Sequence, residues 1–280
     1  MTSIKLGPTG FTLDVVADGS HLDDAAELEQ LGYSTIWLPG GQLDSLDRIA
    51  EIVRATTTVQ VAPSIIPPDV YSSAAVATLY AELEGSDPGR FVVGLGGPQQ
   101  RRSMSALNAY LDRLDTADPP VPVGRRILAA IGPRKLQLAR DRFGGAVPLL
   151  VTPQYTADAR QILGTDSTLV ISQPVVLDRN PESARRTARG MLSFLLGGTI
   201  PGYVAAMLRM GFSQNDVDQL ADRLVDAVVV WGDEDAIAAR IDEHRRAGAD
   251  QVALSVLTAA GGPTPIEVAR RLASSMHPVG

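Results

Sequence analysis

One feature constrains this chain more than any other: short runs that are apolar at nearly every position alternate with longer stretches that carry a single apolar face. A strand that is apolar on both sides belongs in a parallel sheet covered by helices, because an exposed sheet face alternates apolar with polar residues. The strand-like runs are Leu6–Val16, Ser34–Leu38, Val59–Ile66, Phe91–Leu95, Arg126–Ile131, Val147–Val151, Leu169–Leu177 and Gln251–Leu257. Helical periodicity fills His21–Leu31, Leu46–Ala55, Ser73–Glu84, Met104–Leu114, Arg134–Phe143, Ala157–Leu163 and Ile266–Ser275. It also fills most of Glu182–Ala247, with a Gly–Pro break near residue 200. Ser20 suits an N-cap and Gly32 a helix end. Eight strand–helix units in 280 residues predict an α/β fold, a TIM (β/α)8 barrel, as one domain over residues 1–280. An open doubly wound sheet is the alternative, although it usually has fewer strands and a switch point.

Composition narrows the chemistry. The chain has no cysteine, which removes disulfides, thiolate nucleophiles, zinc fingers and iron–sulfur clusters. Its histidines are His21, His244 and His277, with no pair at ligand spacing, so no metal site is expected. The net charge is −7, and the only lysines are Lys5 and Lys135. An acidic chain without a basic stripe does not suit nucleic acid. The start, MTSIKLGPTGF, lacks the apolar core of a secretory signal, so the cytoplasm is the expected compartment. Gly190 to Leu208 carries no charge, but Gly197, Gly198, Pro201 and Gly202 interrupt it. It reads as two buried helix pieces around a turn, not as a membrane span.

A barrel places its site at the C-terminal ends of the strands. Those exits read Pro39-Gly40-Gly41, Ser64-Ile65-Ile66-Pro67-Pro68, Gly94-Leu95-Gly96-Gly97-Pro98, Gly132-Pro133-Arg134-Lys135 and Thr152-Pro153-Gln154. The run Gly94 to Gln99 fails as a dinucleotide fingerprint, since Gln99 stands where the third glycine belongs and the strand is the fourth. It reads either as a tight turn or as backbone that a cofactor ring approaches closely. At Gly132-Pro133 a strand turns into a helix with proline at its first position. The free amides there, with Arg134 and Lys135, read as a phosphate or carboxylate cradle, or else as a plain helix start with two solvated cations.

The remaining candidates have structural readings. His244, in Glu243-His244-Arg245-Arg246, reads as a solvated helical residue, and His21 and His277 read as surface. Trp37 reads as core before ring-stacking and Trp231 as packing, Asp44 and Asp47 as charges at a helix start, and Asp14 as a substrate contact only if strand one points it inward. No G-x-S-x-G elbow is present, so a Ser-His-Asp hydrolase is not supported.

Several segments together resemble one family. Leu31-Gly32-Tyr33-Ser34-Thr35-Ile36-Trp37-Leu38, Gly89-Arg90-Phe91-Val92-Val93-Gly94-Leu95-Gly96 and Ala130-Ile131-Gly132-Pro133 are similar in order and spacing to the bacterial luciferase-like family. So are Val151-Thr152-Pro153-Gln154-Tyr155-Thr156-Ala157, Met210-Gly211-Phe212, Leu224-Val225-Asp226-Ala227 and Ala247-Gly248-Ala249-Asp250-Gln251-Val252. The resemblance is greatest to the branch of oxidoreductases that use the deazaflavin coenzyme F420. It implies a barrel that binds F420, or FMN, at its C-terminal mouth and acts on a small molecule; members often form dimers. It implies a non-prolyl cis peptide at Ser64-Ile65, forming a bulge behind the ring. It also implies that Gly97 to Gln99 line the ring's polar edge, with Gly96 also binding the cofactor, and that Gly132, Pro133, Arg134 and Lys135 hold the phosphate of the tail.

The sequence departs from that family at two places. The exit after strand two, Pro39-Gly40-Gly41-Gln42, has no titratable group before Asp44, and the loop after strand four reads Pro98-Gln99-Gln100-Arg101-Arg102. Many relatives carry an acid or histidine at these points, and a longer covering insertion after strand four. Hydride transfer tolerates this, because the cofactor carries the reactive carbon while the protein orients the substrate and excludes water. Three readings remain: an F420-dependent oxidoreductase with no catalytic side chain assigned, an FMN-dependent luciferase-like monooxygenase, and a cofactor- or partner-binding barrel that has lost turnover.

Overall fold

The computed structural model describes residues 4–96, 103–197 and 201–276. Its elements, in order, are β1 (Thr9–Thr12), α1 (His21–Gln30), β2 (Thr35–Pro39), α2 (Asp47–Ala55), β3 (Gln60–Ser64), α3 (Ser73–Ser86), β4 (Val93–Leu95), α4 (Ser103–Asp115), β5 (Arg126–Leu128) and α5 (Pro133–Arg142). There follow β6 (Gly145–Ala146), α6 (Pro153–Leu163), β7 (Thr168–Leu177), α7 (Pro181–Leu196), α8 (Pro201–Arg209), α9 (Gln214–Asp218), α10 (Asp222–Val228), β8 (Val230–Gly232), α11 (Glu234–Arg246), β9 (Gln251–Val256) and α12 (Pro265–Met276).

The strands run parallel in the order β3-β2-β1-β9-β7-β6-β5-β4. Parallel bridges at Val61–Phe91 and Ile66–Leu95 join β3 to β4 and complete the ring. The expected TIM barrel is therefore present. The short strand β8, unforeseen in the sequence, pairs with the end of β7 outside the eight-strand circuit.

Period-two alternation along the strands separates two cores. Trp37, Ala62, Val92, Ile127, Val147, Val170 and Ala253 pack together, one from each of seven successive barrel positions, and fill the interior. Their neighbours Ile36, Val61, Val93, Leu128, Ile171 and Val252 face the other way, into the layer shared with the helices. Strand β1 contributes Gly10 to the interior, where a Cβ would stand 2.6 Å from the Trp37 indole nitrogen. That indole donates to Gln251 Oε1 at 2.9 Å, and Gln251 Nε2 donates to the Gly7 carbonyl at 2.8 Å. Trp37 is thus core, as expected.

A separate cluster joins α7, α8 and α10 to Leu150 and Val176, and includes Leu192, Met207, Leu224 and Val228. The uncharged stretch from 190 to 208 lies across it: α7 ends at Leu196 and α8 starts at Pro201. No helix among the described residues is long and apolar enough to cross a membrane.

Two histidines differ from expectation. His244 is fully buried, and His21 is 1% exposed; His277 lies outside the described residues. His244 bridges Thr156 Oγ1 and Gln173 Oε1, each at 2.8 Å. Gln173 Nε2 donates to the Pro174 and Val228 carbonyls, which leaves its oxygen to accept from His244 Nε2. The sequence of α11 hides this because His244 sits among Glu243, Arg245 and Arg246, yet falls on the face turned to β7 and α6. Trp231 is half-buried against the α7–α10 cluster and donates to Asp226 at 2.7 Å, as a packing residue should.

Candidate functional site

The strands end on a common rim, and the segments that follow them build a cavity. Ile65 follows β3, Gly96 follows β4, Ala129, Ala130 and Ile131 follow β5, and Val147, Pro148 and Leu149 follow β6. Lys135 from α5 and Gly202 and Tyr203 from α8 complete the walls of this space of about 210 Å³. The backbone ladder continues past the strands to fix the rim: Ile66 N–H donates to the Gly94 carbonyl at 2.8 Å, Ala129 N–H to Leu95 at 2.8 Å, and Val147 N–H to Leu128 at 2.9 Å.

The peptide between Ser64 and Ile65 is cis, at the position the resemblance implies. Glycines surround it. A Cβ on Gly94 would run into the Pro63 carbonyl oxygen, one on Gly40 into the Ile65 carbonyl oxygen, and one on Gly96 into the Ile65 side chain. The glycine-rich exits of β2 and β4 are therefore what admits the Pro63-Ser64-Ile65 segment to the cavity floor. The exit of β2 bears no titratable group, and Asp44 is paired with Arg48 at 3.1 Å. Asp47 opens α2, the helix-start role the sequence suggested. Asp14 is exposed beyond β1.

Helix α5 begins beside the cavity. Gly132 occupies its N-cap, Pro133 its first turn, and no side chain among the described residues caps it, so the free amides of that turn are open to an anion. Lys135 is half-buried, and burial lowers the pKa of its ammonium from the ordinary lysine value. Arg134 points to solvent. A second hollow of about 290 Å³ adjoins the first across Ile131 and is lined by Pro133, Leu136, Thr152, Gln154, Tyr155 and Arg209, among others. The Arg209 guanidinium reaches within 3.7 Å of where a Cβ on Gly132 would stand. Tyr155 donates to the Ile131 carbonyl at 2.8 Å and holds the divider between the hollows. Burial raises its pKa.

The structure thus brings Ile65, Gly96 and Lys135 to one cavity, with Ser64 at the end of β3 behind it. Gly132, Pro133 and Arg134 stand at the adjoining helix start. Gly97 and Gln99 lie outside the described residues. Tyr203, Tyr155 and Arg209 also line these hollows, and no strand-exit pattern in the sequence marks them as site residues. One signal pointed to α8: Arg209 is the first charge after the uncharged run from 190 to 208.

Comparison with known proteins agrees with this architecture. Residues 17–113 match the family profile described as luciferase-like monooxygenase. The F420-dependent tetrahydromethanopterin reductase of Methanopyrus kandleri superposes with a TM-score of 0.69 at 13% identity, over 95% of this chain and 98% of that one. The chain has the luciferase-like barrel. An F420-dependent secondary alcohol dehydrogenase, solved with an F420–acetone adduct, superposes with a TM-score of 0.74 at 14% identity, over 96% of this chain and 98% of that one. The FMN-bound oxygenating component of 3,6-diketocamphane monooxygenase, from a Pseudomonas putida plasmid, gives 0.66 at 13%, over 95% and 96%. No match is found among curated protein sequences.

Proposed function

We propose that this protein is a luciferase-like oxidoreductase that uses coenzyme F420 for hydride transfer to or from a small organic substrate. One observation carries the reading: an apolar slot at the barrel mouth adjoins, across Ile131, a hollow beside an uncapped helix start with a nearby guanidinium. Sites for small molecules usually measure roughly 300–1,000 Å³, so neither hollow alone suffices for a cofactor. A flat ring joined by a chain to a phosphate is a ligand with two unlike ends, and the paired hollows match it end for end.

The residues present fit such a group. Ile65, Gly96, Ala129 and Ala130 would meet the ring, and the amides after Gly132, with Arg209, would meet the phosphate. When bound, the cofactor supplies the carbon that gives or takes the hydride. The protein's part is to orient the partners and keep water out, which apolar walls of this kind do.

FMN is the second reading. It is supported by the family profile's description and by the FMN-bound neighbour, and its phosphate would suit the same helix start. A fluorescence titration of the purified protein with F420, repeated in competition with FMN, separates the two. Saturable F420 binding that FMN displaces poorly supports the first reading; displacement by FMN at lower concentration supports the second. Binding of neither contradicts both.

A further inference from the structure

Two side chains of the mouth cavity stand apart from the rest of its lining. Ile65, Gly96, Ala129, Ala130, Ile131, Val147, Pro148, Leu149 and Gly202 offer no polar side-chain atom. Among the described residues of the lining only Lys135 and Tyr203 do, and neither side chain makes a hydrogen bond or ion pair with another of those residues. The family resemblance assigns Lys135 to the phosphate. In the structure it shares the cavity of Ile65 and Gly96, whereas the hollow at the start of α5 is lined by Arg209 and not by Lys135.

We infer that Lys135 and Tyr203 donate to oxygen or nitrogen atoms of the cofactor's ring system, and that the phosphate is left to the α5 amides and Arg209. This rests on the proposed cofactor site and divides its labour. An ammonium with no counter-charge among the described residues of an apolar wall is costly to bury, and a ligand atom bearing negative charge relieves that cost. A flavin-type ring offers such atoms along its polar edge, and charge there tunes its electronics. Burial raises the Tyr203 hydroxyl to about 12, so it remains protonated near neutral pH and acts as a donor. Tyr203 arrives from α8, far along the chain from the β-strand exits, and for that reason no strand-exit motif reveals it.

The test compares ligands with and without phosphate. Wild type, Lys135→Gln, Tyr203→Phe and Arg209→Gln are titrated with F420 and with its deazaflavin core lacking the phosphate and all beyond it; FMN and riboflavin form a parallel pair. Thermal melting confirms that each variant folds. Lys135→Gln is expected to weaken both members of a pair by the same factor, about tenfold or more, and Tyr203→Phe by a few-fold. Arg209→Gln is expected to weaken only the phosphorylated member. Weakening by Lys135→Gln confined to the phosphorylated ligand overturns the inference while leaving the cofactor site intact. Unchanged affinities in both Lys135→Gln and Tyr203→Phe overturn it as well. A wild type that binds none of the four ligands instead removes the underlying cofactor reading.

Discussion

The Cδ1 atom of Ile65 occupies the space that a Cβ on Gly96 would need. The cavity floor is thus made by one side chain resting on another residue's lack of one. Gly96→Ala should push Ile65 into the cavity. The displaced atom is the far end of a flexible side chain, so the melting temperature should change little. Cofactor affinity should fall about tenfold, an effect measurable by fluorescence titration.

Gly94 makes the contrasting case. Its missing Cβ faces the Pro63 carbonyl oxygen, part of the backbone, which cannot swing aside. Gly94→Ala should cost roughly 2–3 kcal/mol of stability, the usual penalty for overpacking. Urea denaturation of the two alanine variants side by side checks the distinction: a loss at Gly96 equal to that at Gly94 would count against it.

The buried imidazole of His244 predicts how stability depends on pH. Burial first, and the Arg240 charge second, lower its pKa from the ordinary 6.5 to about 3. Between those values an unfolded chain binds a proton there that the folded chain refuses. Its contribution is therefore fully present above about 6.5 and declines as the pH falls toward 3, by at most roughly 1.4 kcal/mol per pH unit. Denaturation midpoints measured from pH 7 downward should show this slope, and it should flatten in His244→Asn.

Glu29 tests the opposite end of the barrel. Its carboxylate accepts from the backbone amides of Thr57, Thr58 and Val59, the last at 2.8 Å. Partial burial alone would raise its pKa, but these hydrogen bonds outweigh it and hold the group at about 2. Glu29→Gln should cost about 1–2 kcal/mol, because an amide accepts through one oxygen only. Cofactor affinity should not change, since the group lies at the entrance to β3 and not at its exit.

Much of the fold was legible because the physics behind it is local. Runs such as Phe91–Leu95 and Gln251–Leu257 show burial on both faces in their composition, and Pro133 marks a helix start that the structure keeps, whereas α6 opens at Pro153, ahead of the Ala157 that periodicity suggests. Boundaries were less so. The run Val147–Val151 is apolar, yet the strand proper is Gly145–Ala146 and the run itself forms cavity wall and rim. Leu150 there has φ of 58°, a backbone state that sequence does not advertise for leucine.

The candidate site was half legible. Glycines that admit a close approach announce themselves at Gly40, Gly94 and Gly96. Tyr203 and Arg209 do not, because their relevance depends on where α8 lands after a long excursion from β7. Burial of His21 and His244 was missed for a related reason: each has polar sequence neighbours and a buried face that only packing defines.

On the proposed function, the mouth cavity receives a flat redox ring whose anionic tail rests at the start of α5. A crystal structure of the protein soaked with F420 tests it most directly. The expected density places the ring over Ile65, between Gly96 and Tyr203, with the phosphate against the amides following Gly132. Density for the cofactor anywhere else on the molecule, with the space above Ile65 closed by the protein's own side chains, would contradict the account.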